Sequence, residues 1–189
     1  MTPTEFVSGL ADVMDVPMTE LATVDRALAK GGLRRIARGR SRPAINLMEG
    51  LQIVCAWAGV KKLTDAAEEL ARQRNFHVDT DGLSDKYLGE YQPAFGATLG
   101  EISGSSFLEV VRFSARQLGA GNYPLNDLSI TIQKAGAVEV DYKRGATQSS
   151  LRIFDLNNQT VFEPRGNVSI KVVIRGPVLK WIYDVTEET

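Results

Sequence analysis

The sequence predicts an α+β protein, with a helical N-terminal part followed by a smaller region carrying antiparallel strands. Three observations carry that expectation. Apolar residues recur every three or four positions through residues 7–74 and again from Ser106 to Leu118. From Leu128 the period changes to two, in LSITIQ and then AVEVDY. Turn-forming clusters, Asn157-Asn158 and Pro164-Arg165-Gly166-Asn167, divide the apolar runs that follow. The expected boundary lies between residues 75 and 76.

The first helix is predicted to open at Thr2-Pro3-Thr4-Glu5, a capping box with proline at the first helical position. So early a start leaves no room for a preceding helix, so the packing partners of this segment are expected later in the chain. Residues 7–26, VSGLADVMDVPMTELATVDR, read as helix, tight turn and second helix. Leu10 and Met14 lie four apart on one inner face, and Leu21 and Val24 three apart on the other. Ala11 is small where two helices cross, Val16 plugs the corner, and Pro17 starts the second helix where its missing N–H costs nothing. This is the spacing of the helix-turn-helix motif, whose second helix enters the DNA major groove. An ordinary pair of packed helices gives similar spacing. One position departs from the motif: the turn carries Asp15 where glycine is usual, and Asp tolerates a left-handed backbone less well.

The second helix is expected to end at Gly31-Gly32, with Leu33 docking back. A basic stripe overlaps and follows it. Arg26, Lys30, Arg34, Arg35, Arg38, Arg40 and Arg42 occur between residues 26 and 48, without one Asp or Glu. Arginine's planar fork suits phosphate oxygens and guanine edges; a solvated loop is the plainer reading of such a run. Residues 43–58 are apolar on nearly all sides and predict a buried helix. Residues 61–74 predict an amphipathic one, with Leu63, Ala66, Ala67, Leu70 and Ala71 inward.

Residues 76–104 read as a Gly- and Asp-rich connector with one short helix near 94–102. Ser106-Phe107-Leu108-Glu109 is a second capping box, opening a helix to Leu118 with Leu108, Val111, Ala115 and Leu118 inward. Strands are expected at 128–133 and 137–142, joined by a hairpin at Lys134-Ala135-Gly136, and at 151–154, 160–162 and 168–175. Gly176-Pro177 starts a final helix with Val178, Leu179, Ile182 and Val185 on one stripe.

The segment VPMTELATVDRALAKGGLR, the basic Arg38-Gly39-Arg40-Ser41 and the apolar helix after it resemble a group of small helix-turn-helix proteins of bacterial prophages and gene-transfer-agent clusters. The likeness covers roughly residues 1–60, with a faint echo in IRGPVLKWI near the C-terminus. It implies a DNA-binding regulator.

Composition bounds the rest. The formal net charge is −1, so any positive field comes from the local stripe. Residues 1–76 hold 11 basic and 9 acidic side chains, against 11 and 14 in the remainder. No apolar run approaches the roughly 18 residues of a membrane span, and no signal peptide is visible. The lone Cys55 excludes an internal disulfide and fits a reducing cytoplasm. His77, the only histidine, cannot form a two-histidine zinc site, and a calcium loop starting there lacks its acids. Arg38-Gly39-Arg40 matches the core of a minor-groove arm, without its flanking prolines. No phosphate loop, carboxylate pair or nucleophile–base arrangement argues for an enzyme, and no cofactor or metal is expected.

These readings converge on a sequence-specific double-stranded DNA-binding protein, a phage-type transcriptional regulator in the cytoplasm at the nucleoid. Residues 1–75 form the helix-turn-helix domain, and 76–189 an oligomerisation or effector region making a homodimer. Met18, Thr19, Ala22 and Thr23 are expected at base edges. Arg26, Lys30, Arg34, Arg35, Arg38, Arg40 and Arg42 are expected at phosphates. Glu20 either accepts from a cytosine amino group or repels phosphate. Two alternatives stand beside this: a small-terminase-like packaging or assembly subunit, and a protein-binding module for an acidic partner.

Overall fold

The computed structural model describes residues 1–36, 43–78, 105–134, 138–144, 147–155 and 170–187. The chain begins with α1 (Pro3–Met14), where Thr2 and Glu5 cap each other's backbone N–H groups at 3.3 and 2.8 Å. It stops where Asp15 turns left-handed, at φ 53° and ψ 50°, letting the Val16 N–H donate to the Ala11 carbonyl at 3.1 Å. Helix α2 (Met18–Lys30) begins after Pro17 and ends the same way, with Gly32 at φ +70° and the Leu33 N–H donating to the Leu28 carbonyl at 2.9 Å. The expected helix, tight turn and second helix are therefore present.

Helix α3 (Leu47–Gly59) is the hub, touching α2, α4, both later helices and the sheet. Leu51, Ile53, Val54, Cys55 and Ala56 are all fully buried, so the helix has no wet face over that turn and a half. It starts at Leu47 rather than at residue 43, because Asn46 and Glu49 form a third capping box. Gly50 lets the Phe6 ring of α1 approach: a Cβ there would meet Phe6 Cζ at 2.7 Å.

The single amphipathic helix expected over 61–74 is instead a 3-10 turn (Leu63–Asp65) followed by α4 (Ala66–Gln73). Ala66 and Leu70 are buried as expected, but Ala71 is exposed. Glu69 and Gln73 take the inner positions. Gln73 Nε2 donates to the Cys55 carbonyl at 3.1 Å and to Glu69 at 2.9 Å.

After β1 (Phe76–Val78) and α5 (Phe107–Gly119), the chain forms β2 (Leu128–Gln133), β3 (Val138–Arg144), β4 (Thr147–Asp155) and β5 (Lys171–Arg175). It ends its described part with α6 (Gly176–Glu187). The five strands make one antiparallel sheet in the order β1-β4-β3-β2-β5. Leu128, Ile130, Ile132, Val138, Val140 and Ile174 turn one face to the helices and are all buried. The intervening Ser129, Thr131 and Gln133 stay half-exposed, which is the alternation the sequence displays. On α5 the inward residues Leu108, Val111, Ala115 and Leu118 are buried.

The protein is thus α+β, with a helical front and an antiparallel sheet behind. One cluster of buried side chains runs from Phe6 and Leu21 through α3 to Ile132 and Ile182. Phe6 and Trp181, from α1 and α6, sit with ring centroids 5.4 Å apart. The two regions divided at residue 75 therefore share a core. Among the described residues no helix is long and apolar enough to cross a membrane. The helix near 94–102, the strand at 160–162, the turns at 157–158 and 164–167 and the acidic positions 79–82 lie outside the described residues.

Candidate nucleic-acid interface

Helix α2 has two faces of different character. Leu21, Val24 and Leu28 are fully buried against α1, α3 and α4. Thr19, Ala22, Thr23, Arg26 and Lys30 lie three or four residues apart along the other side and are half-buried to exposed. Met18 adds an exposed thioether at the start, 42% accessible. Five of the six predicted α2 residues are on or beside this outward stripe, and Ala22, at its border, packs partly against the core.

The two carboxylates of α2 are both occupied inside the protein. Glu20 accepts the Trp57 indole N–H at 2.9 Å, so it is held by α3 instead of being offered to a cytosine or a phosphate. Asp25 is buried and pairs with Arg34: Arg34 Nη2 donates to its Oδ2 at 2.9 Å, and Arg34 Nε contacts Oδ1. Burial pushes the Asp25 carboxyl above its ordinary value, against the pull of that guanidinium. Asp25 is thus turned in, half-buried Glu20 keeps its charge beside the outward stripe, and the stripe itself carries Arg26 and Lys30. Asp12 and Asp15, exposed at the end of α1, form a negative edge just before it.

The basic stripe divides into parts. Arg34 retains 12% side-chain exposure, and its remaining Nη1 donates to the Arg35 carbonyl at 3.0 Å. Arg35 grips Glu49 through Nε at 2.9 Å and Nη2 at 2.7 Å, and Nη2 also reaches the Ala44 carbonyl. These two arginines were expected at phosphates. Each fork instead finds a buried carboxylate within reach, which holds Arg34 to α2 and Arg35 to α3, and Arg35 keeps 54% of its side chain exposed. Burial tends to raise Glu49, but the Arg35 fork and the backbone N–H groups of Asn46 and Arg35 outweigh it and hold the carboxyl below its ordinary value. Arg38, Arg40 and Arg42 lie outside the described residues.

The remaining candidates for chemistry are structural. Cys55 is fully buried in α3, and burial pushes its thiol far up, away from the reactive thiolate. His77 lies on β1 with Nδ1 2.9 Å from the Asn75 carbonyl. Among the described residues no three His, Cys, Asp or Glu side chains group closely enough to hold a metal ion. No family model, curated protein or solved structure matches the chain.

Proposed function

We propose that the protein is a sequence-specific double-stranded DNA-binding protein, a phage-type transcriptional regulator acting at the nucleoid, with α2 as the helix that enters the major groove. The observation that supports this most is the sorting of charge on α2: Asp25 is buried against Arg34 and half-buried Glu20 is held by the Trp57 indole, while Arg26 and Lys30 are exposed. A helix approaching phosphates needs that arrangement, since each free carboxylate adds repulsion in the groove. Thr19, Ala22 and Thr23 are short enough to let the helix sit close to base edges.

A homodimer formed through residues 76–189 places two such helices on two half-sites. Ile170 and Val173, exposed by 57% and 51% on and beside the edge strand β5, give that region apolar surface to cover. Selection of duplexes from a random pool, followed by footprinting, tests the reading. It predicts enrichment of a near-palindrome with half-sites about 34 Å apart or a multiple of that. A protein that enriches no sequence contradicts it. A ring of eight or more subunits in solution points to the packaging role instead.

A further inference from the structure

We infer that Arg26 reads a guanine and that Thr23 is the residue that positions it, an inference resting on the DNA-binding reading of α2. Among the described residues, three hydrogen bonds organise this part of the exposed stripe. Arg26 Nε donates to the Ala22 carbonyl at 3.1 Å. Arg26 Nη2 donates to Thr23 Oγ1 at 3.3 Å, and Thr23 Oγ1 donates in turn to the Thr19 carbonyl at 2.7 Å. Because the hydroxyl proton is directed to Thr19, the oxygen's lone pairs are left to face Arg26.

The Arg26 side chain therefore lies back over the turn N-terminal to its own Cα, as long helical side chains do. Its guanidinium sits at the level of Ala22 and Thr23, within the part of α2 expected at the bases, although Arg26 itself is nearly a turn further along. Two of its five N–H groups are used within the helix. Of the remaining three, one on Nη1 and one on Nη2 form the edge that pairs with guanine O6 and N7 together. A fork held this way loses little freedom when it binds, and a planar base edge rewards fixed orientation. A phosphate, reached from many angles, does not need it. The roles expected from sequence are thus exchanged: Thr23 supports and Arg26 reads.

The experiment takes the parent's selected duplex and replaces each guanine in turn by 7-deazaguanine, which lacks the N7 acceptor. Parent, Arg26→Lys, Thr23→Val and Thr23→Ser are titrated against each duplex and against random DNA over a range of salt. The parent should lose about tenfold to hundredfold at one guanine per half-site. Arg26→Lys should discriminate less than the parent at that position, with an unchanged salt slope, because charge is kept while the fixed planar fork becomes a mobile ammonium. Thr23→Val should lose part of the discrimination, and Thr23→Ser should restore it. If Arg26→Lys discriminates as the parent does, Arg26 is a phosphate contact and the inference is overturned. If Thr23→Val and Thr23→Ser behave identically, the positioning role fails. If the parent binds no duplex, the DNA-binding reading falls with it, a result separate from the other two.

Discussion

Arg34 and Arg35 differ from Arg26 and Lys30 in almost everything except sequence neighbourhood. All four belong to one run without acids, and all four were expected at phosphates. Arg34 and Arg35 are paired with Asp25 and Glu49, Arg34 nearly buried and Arg35 still 54% exposed. Arg26 and Lys30 stand on the open stripe of α2. A run of cations in sequence therefore does not say which of them are paired with a carboxylate. The carboxylates that decide it are Asp25 and Glu49, the residues that flank the run on either side.

The largest effect that sharpens this contrast is on stability. Arg34→Ala leaves Asp25 buried without its partner and should cost about 3–5 kcal/mol in denaturant unfolding. The double variant Asp25→Ala/Arg34→Ala should recover much of that loss. A small change for Arg34→Ala would mean that the pair is not closed in solution.

Next comes Glu49→Gln, expected to cost about 1–3 kcal/mol at neutral pH by weakening the charge-assisted bonds from Arg35 and the cap at Asn46. Its pH dependence follows from the direction of each shift. Glu49 is lowered in the folded protein from an ordinary value of 4.5, so its contribution is complete above that value. It disappears as pH falls through the folded value. Asp25 is raised from 3.8, so between that value and its folded one the native state binds more protons than the unfolded state. Its ionisation therefore lowers stability as pH rises through that interval. Unfolding midpoints measured from about pH 3 to 6 should show a shallower acid loss in Glu49→Gln and a steeper one in Asp25→Asn. The same slope in both variants would contradict the assignment.

The elements that were legible in the sequence are those with local chemistry. Thr2 and Glu5 mark the start of α1, Asp15 and Pro17 mark the corner, and Gly31-Gly32 mark the end of α2. The alternation of LSITIQ set both the bounds and the facing of β2. Asn46 and Glu49 carried the same three-residue signal as the other two caps, and it would have placed the start of α3 correctly. Strand β1 is three residues long, too short to display a period, and is held by its pairing with β4. The candidate site was legible only in outline. Helical spacing put Thr19, Ala22, Thr23, Arg26 and Lys30 on one stripe. It could not reveal that Glu20 is held by Trp57, 37 residues away, or Arg35 by Glu49, 14 away, since those pairs exist only once α3 is packed.

Two smaller effects concern the outward side. Trp57→Phe should cost about 0.5–1.5 kcal/mol of stability by removing the bond to Glu20, whose half-exposed carboxylate water can then reach. It should also weaken DNA binding by freeing that carboxylate. Lys30→Gln should change stability by less than about 0.5 kcal/mol. Its DNA signature is a fall of about 0.9 in the slope of log affinity against log salt, if it meets a phosphate. An unchanged slope would remove Lys30 from the interface.

The most direct test of α2 as the DNA-contacting helix is the perturbation of backbone amide resonances on adding the selected duplex. The largest shifts should fall on Met18, Thr19, Ala22, Thr23, Arg26 and Lys30, with little change at Ser129, Thr131 and Glu139 on the far face of the sheet. Shifts concentrated on those strands, with α2 unmoved, would contradict the account.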